Sequence, residues 1–120
     1  RAAEVPVLMK QLPVTEVCQW ASAAAAEGEP LLLDVREPWE VQLAAIRVPG
    51  TSALHLPMGQ IPQRLGELDP AQPILCICHQ GMRSAQVVAF LERAGFESVY
   101  NLAGGIDAWS AQVDPSVPRY

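Results

Sequence analysis

The run Ile74-Leu75-Cys76-Ile77-Cys78-His79-Gln80-Gly81-Met82-Arg83-Ser84 carries the densest chemistry in the chain. An apolar stretch ends at a cysteine, a short glycine-containing loop follows, and a helical pattern begins at once. Amide N–H groups of such a loop converge on one point at the positive end of the helix dipole, so an anion at its centre is stabilised. The natural anion here is the Cys78 thiolate, a nucleophile suited to covalent catalysis. Gly81 lets the backbone take φ values that other residues resist and keeps bulk off the approach to the sulfur. His79 and Arg83 are the chargeable side chains of the loop, hence the candidates for contacting an anionic donor; Gln80, Met82 and Ser84 complete it. A cation in the first turn of a helix opposes the dipole, which favours an anion-binding task for Arg83 over an ordinary first-turn arginine. His79 reads equally well as a donor contact and as a solvent-exposed histidine without a role.

Other reactive types have plainer readings. Cys76 lies two residues before Cys78, on the same strand face, and is a core residue. Cys18 is a structural or half-exposed thiol. An odd count of three cysteines is no disulfide framework, and Cys76-x-Cys78 lacks a second pair of ligands for zinc, so no metal and no cofactor are expected. Asp34 is read as a structural ion pair or turn former, and Arg36 is open between that and donor contact. His55 is a hydrogen-bonded core or edge histidine. Trp20, Trp39 and Trp109 are packing residues whose N–H groups find partners at the core edge. Gly104-Gly105 is a turn, too short for a dinucleotide fingerprint.

These residues need strands and helices to hold them. Leu31 to Val35, Ala53 to Leu56 and Pro73 to Cys78 read as buried strands, apolar on both faces as parallel strands are. A helix runs from Glu16 to about Glu27, capped by Thr15 and ended by Gly28, with Val17, Trp20, Ala21 and Ala24 on one face. Shorter helices are expected over Pro38 to Leu43 and Gln60 to Glu67. The strongest helix spans Ser84 to Ala94, where Val87, Val88, Leu91 and Ala94 form a stripe and Gly95 is the C′ residue. A strand around Val99 to Leu102, the turn Ala103-Gly104-Gly105 and a helix around Ile106 to Ala111 follow, then an irregular tail. Strands alternating with helices make an α/β domain with a mainly parallel sheet, whose ligands bind beyond the carboxyl ends of the strands.

The 120 residues suffice for one domain, read as a single unit over 1–120 with its core at about 14–112. Half the residues are apolar, which excludes disorder, and the net charge of −5 without a basic cluster argues against nucleic acid. Any anionic substrate must be held by a local device. No run approaches the ~18 apolar residues of a membrane span, so a soluble, cytoplasmic protein is expected, with Met9 a candidate natural start.

Cys78-x-x-Gly81-x-Arg83-Ser84 resembles the active-site loop of the rhodanese family. Leu33-Asp34-Val35-Arg36-Glu37-Pro38 resembles the family's first signature, and Leu102-Ala103-Gly104-Gly105-Ile106-Asp107-Ala108-Trp109 its C-terminal one. The three occur in the family's order and cover about residues 14 to 112. The resemblance implies a three-layer α/β/α fold with a five-stranded, mainly parallel sheet. It also implies a cysteine that takes sulfur from thiosulfate or another persulfide donor and yields it to a thiol, or to cyanide in vitro, with a small molecule or a protein at either end. In one place the chain departs from the pattern. Where many members carry Gly-His-Ile-Pro-Gly-Ala, this chain has Ala45-Ile46-Arg47-Val48-Pro49-Gly50-Thr51, so altered packing is expected there rather than lost chemistry.

The fold also resembles that of cell-cycle phosphatases, which place five residues between the loop cysteine and arginine. This chain places four, His79 to Met82. The shorter loop makes a cradle for one added sulfur rather than for a phosphoryl group with three equatorial oxygens, so a phosphatase ranks below a sulfurtransferase. A second alternative is a rhodanese-like module that relays sulfur or binds proteins without turnover.

Overall fold

The computed structural model describes residues 10–120; Met9 and the residues before it lie outside them. Five strands form one sheet in the order β1-β5-β4-β2-β3, every pairing parallel. They are β1 (Gln11–Leu12), β2 (Leu31–Asp34), β3 (Ser52–His55), β4 (Ile74–Ile77) and β5 (Val99–Leu102). The helices are α1 (Val17–Ala24), α2 (Pro38–Leu43), α3 (Met82–Arg93) and α4 (Gly105–Gln112).

The two-residue period of the strands sorts their side chains between two cores. Leu31, Leu33, Ile74, Cys76 and Cys78 pack with Val87, Val88 and Leu91 of α3 and with Ile61 and Leu68. Leu32, Leu75 and Ile77 face the other way, against Val17 and Ala21 of α1 and Ile106 and Trp109 of α4. The sheet is thus sandwiched between helical layers, the α/β/α architecture expected from the sequence. β4 lies between β2 and β5 and is buried along its length, so the loop leaving it opens at the middle of the sheet's carboxyl edge.

Several expectations need correction. β3 is an edge strand with partly exposed residues, not a strand buried on both faces. Thr15 does not cap α1: it sits inside a 3-10 turn, Val14–Glu16, and the N-cap is Glu16 without a side-chain cap bond. Gln60 to Glu67 forms no α-helix but two 3-10 turns, Met58–Gln60 and Leu65–Glu67. Eight residues containing Pro62 and Gly66 gain too few i→i−4 bonds to repay nucleation, and burial of Ile61 and Leu68 holds the segment instead. α3 begins two residues earlier than expected, at Met82, and Ala94 is exposed, the stripe being Ser84, Val87, Val88 and Leu91. Its end is as read: Gly95 at φ 98° lets Phe96 N–H reach Leu91 O and Gly95 N–H reach Glu92 O, a Schellman motif. Trp39 is 60% exposed, its ring set edge-on to Tyr120 at the surface rather than in the core, and buried Trp109 Nε1 has no hydrogen-bond partner. Where the Gly-His pair is absent, a turn closes at Gly50, with Thr51 N–H and Oγ1 both donating to Val48 O.

Candidate active site

Cys78 is the first residue after β4, 1% exposed. The loop turns sharply at Gly81, whose φ of 100° belongs to the left-handed region. That turn brings Gly81 N–H to 3.1 Å from Cys78 Sγ, and the Ser84 hydroxyl, fully buried in the first turn of α3, lies 3.2 Å from the same atom. Sγ therefore sits between a backbone donor and a hydroxyl at the start of a twelve-residue helix, a setting that favours negative charge on sulfur.

The loop is held from behind by α4. Ile106 N–H donates to Cys78 O and Asp107 N–H to His79 O, each at 3.0 Å. With these carbonyls drawn outward, the Gly81 amide is free to face the sulfur. The approach is so close that a Cβ on Gly105 (φ 63°) would collide with His79 O and lie 2.7 Å from Cys78 O. The turn expected over Ala103-Gly104-Gly105 is confined to Ala103-Gly104, and Gly105 instead opens α4 against the loop backbone.

Asn101 of β5, which sequence reasoning missed, ties the loop together. Its Nδ2 donates to Gly81 O (3.1 Å) and Gln11 Oε1 (3.0 Å), which turns Oδ1 to the Ser84 hydroxyl. Ser84 has one hydroxyl proton and two acceptors, Asn101 Oδ1 and Cys78 Sγ. With a thiol, the S–H can point at Ser84 Oγ; with a thiolate, the hydroxyl proton turns to sulfur. A buried polar residue within Val-Tyr-Asn-Leu was the sequence signal.

The remaining loop side chains face outward. Gln80 is exposed and Met82 is 75% exposed. His79 is half-buried, its ring stacked on Tyr120 with centroids 4.1 Å apart, so the solvent-exposed reading fails. The tail after Val113 is irregular but docked: Val117 is buried, and Tyr120 reaches the loop. Proline-rich and short, it offered no sequence signal.

Arg83 does not stand free. Its Nη1 and Nη2 bind Glu40 Oε2 and Oε1 at 2.7 and 2.8 Å, a bidentate pair. Glu40, in the first turn of α2 and 3% exposed, also accepts from Glu37 N–H (2.9 Å) and Tyr120 OH (3.0 Å). Hydrogen bonding from Arg83 holds its carboxyl down to about 2 against the opposing effect of burial. Sequence reasoning missed Glu40, although Glu37-x-x-Glu40 at a helix start is a capping signal.

Asp34 and Arg36 lie on the adjacent strand end. Arg36 is fully buried, and all five guanidinium N–H groups are used. Nε and Nη2 bind Asp34 (2.9 and 2.7 Å), Nη1 binds Glu40 O and Tyr120 OH, and Nη2 also binds Ala44 O. His55 Nε2 contacts Arg36 O at 2.7 Å, the edge histidine foreseen. Cys76 is wholly buried, and burial pushes its thiol far above the usual range. Cys18 is exposed.

A parallel sheet with a cysteine cradled in its central strand-to-helix loop defines a class of α/β domains that carry a thiol at that loop. Residues 17–112 match the Rhodanese-like domain family. The chain belongs to that family. It is 39% identical over 90 residues to "Putative sulfurtransferase YtwF" of Bacillus subtilis, covering 75% of this chain and 82% of that protein. It is 37% identical to "Rhodanese-like/PpiC domain-containing protein 12, chloroplastic" of Arabidopsis thaliana, over 93% of this chain but only 38% of that longer protein. Among solved structures, the rhodanese-like domain protein of Staphylococcus aureus superposes with a TM-score of 0.69 at 29% identity, covering 93% of this chain and 99% of that one.

Proposed function

We propose that the chain transfers a sulfane sulfur through a persulfide on Cys78. The supporting observation is the cradle at Sγ, where Gly81 N–H and Ser84 Oγ converge on one atom in a loop whose carbonyls α4 draws outward. The Cys78 thiolate attacks the outer sulfur of a donor such as thiosulfate. A new S–S bond forms, the donor's S–S bond breaks, and its electron pair leaves with sulfite. The terminal sulfur of Cys78–S–S⁻ keeps the negative charge, which the loop donors stabilise. A thiol or cyanide then attacks that sulfur, giving a new persulfide or thiocyanate and returning the pair to the Cys78 thiolate. The scheme uses no cofactor and no metal, and the proposed setting is the cytoplasm.

The test is intact mass after incubation with thiosulfate, followed by cyanide and detection of thiocyanate. A gain of one sulfur, reversed by cyanide and absent in Cys78→Ser, is the expected result. Gain only from a protein or thiol persulfide assigns a relay module instead of a thiosulfate-using enzyme. No gain from any donor removes the proposed chemistry.

A further inference from the structure

Arg83 supplies the one fixed positive charge in the loop from Cys78 to Ser84, and in a free state it would draw a dianionic donor toward the sulfur. The geometry does not leave it free. Both terminal nitrogens lie on the Glu40 carboxylate at 2.7 and 2.8 Å. Glu40 cannot swing away cheaply, because Glu37 N–H and Tyr120 OH hold the same carboxylate, and Tyr120 is itself fixed by Arg36 Nη1 at 2.9 Å and by stacking on His79. Removing Glu40 from Arg83 would leave a nearly wholly buried carboxylate without its countercharge. The Arg83–Glu40 pair is therefore electrically neutral as a unit. Arg83, the more exposed end of the pair, keeps N–H donors for hydrogen bonding but attracts an anion only as one end of a dipole, far less than a free cation would, and the protein beyond it carries −5.

We infer that Glu40 is a specificity-determining residue that, by neutralising Arg83 at the mouth of the Cys78 loop, disfavours dianionic thiosulfate relative to sulfur donors of lower charge. The inference rests on the sulfur-transfer reading above and names the donor class within it: thiosulfonates and organic persulfides, whose reacting end carries at most one negative charge. The thiolate is already one anion in the loop. A donor with two charges meets twice the repulsion of a donor with one, and the neutral pair offsets much less of it than a free Arg83 would.

The test compares kcat/KM for thiosulfate and for benzenethiosulfonate, both attacked at the outer sulfur, in wild type, Glu40→Gln and Glu40→Asp. Glu40→Gln uncovers one positive charge and should raise the ratio of thiosulfate to thiosulfonate by about tenfold, an interaction of one charge across a partly screened site. Glu40→Asp disturbs the fork but keeps the charge, so the ratio should stay within about twofold of wild type. Added salt should raise wild-type kcat/KM for thiosulfate, because repulsion is being screened, and should raise it less or lower it in Glu40→Gln. An unchanged ratio in Glu40→Gln, or an equal rise in Glu40→Asp, overturns the inference. If Glu40→Gln does not fold, the wild type decides: a thiosulfate kcat/KM that falls with salt means that Arg83 attracts the dianion despite Glu40. Absence of sulfur on Cys78 from either donor would overturn the sulfur-transfer reading itself, whereas loading with an unchanged ratio overturns only the role of Glu40.

Discussion

Replacing Arg36 by methionine separates a structural arginine from one that contacts a donor. Arg36 is fully buried and spends its five N–H groups on Asp34, Glu40 O, Ala44 O and Tyr120 OH. Its loss strands the Asp34 carboxylate without its partner, which costs about 3–5 kcal/mol for a buried pair. It also orphans the Ala44 carbonyl at about 1–3 kcal/mol, Glu40 O keeping its bond from Ala44 N–H, and this is partly offset by about 1.5–3 kcal/mol from burying the methionine side chain. The net destabilisation should be roughly 4 kcal/mol, a large part of the about 5–15 kcal/mol that holds a domain of this size. In urea, with a slope of about 2 kcal/mol per molar, the midpoint should fall by about 2 M. Arg36→Lys keeps the charge but not the fork and should lose roughly half as much. Sulfur loading per folded molecule should be within about threefold of wild type in Arg36→Lys. A midpoint shift below about 0.5 M together with lost loading would refute the structural assignment and place Arg36 at the donor.

Loading should vanish in Cys78→Ser and persist in Cys76→Ser and Cys18→Ser; mass spectrometry after thiosulfate or persulfide treatment decides. Cys76, wholly buried with its thiol pushed up by burial, should also resist iodoacetamide in the native state while exposed Cys18 reacts. Gly105→Ala puts a Cβ into His79 O and Cys78 O at a φ of 63°, so it should cost roughly 2–4 kcal/mol by thermal or urea melts and reduce loading by displacing the loop. Glu40 titrates at about 2 in the folded chain, below its unfolded value. Its contribution is therefore present above the unfolded value near 4.5 and is lost as pH falls toward about 2. Urea midpoints at pH 6, 4 and 3 should drop more steeply for wild type than for Glu40→Gln, by at most about 3 kcal/mol; parallel slopes would remove Glu40 from the acid response.

Sequence legibility followed how local the causes were. The strand before Cys78, the helix after it and the Gly95 terminus depend on residues adjacent in the chain, and their types and spacing show them. The two-residue β1 has too little length for a periodicity, and its pairing with Asn101 and Leu102 spans most of the chain. Glu40, Asn101 and Tyr120 were missed for the same reason: each meets the loop from a separate element, and a carboxylate, an amide and a phenol look ordinary in their own segments. Arg83 is the instructive case. A first-turn arginine opposes the helix dipole and so needs an anion, but the anion that Arg83 meets in the structure is a side chain 43 residues away.

The three signatures at Asp34, Cys78 and Gly104 belong to one device. A loop presents its N–H groups to a central atom only if its carbonyls have somewhere else to go. Here Cys78 O and His79 O go to the first N–H groups of α4, which reach them because Gly105 has no Cβ, and Gly81 O goes to Asn101 one strand over. On the other flank, Asp34 holds Arg36, Arg36 holds Tyr120 and the main chain of α2, and Glu40 holds Arg83 at the loop's far end. Cutting either flank should loosen the same sulfur. Asn101→Leu, which removes the bonds to Gly81 O, the Ser84 hydroxyl and Gln11 while keeping size, should therefore slow persulfide loading with Cys78 itself unchanged. An Asn101→Leu variant that loads at the wild-type rate would show that the loop keeps its inward Gly81 amide without that support.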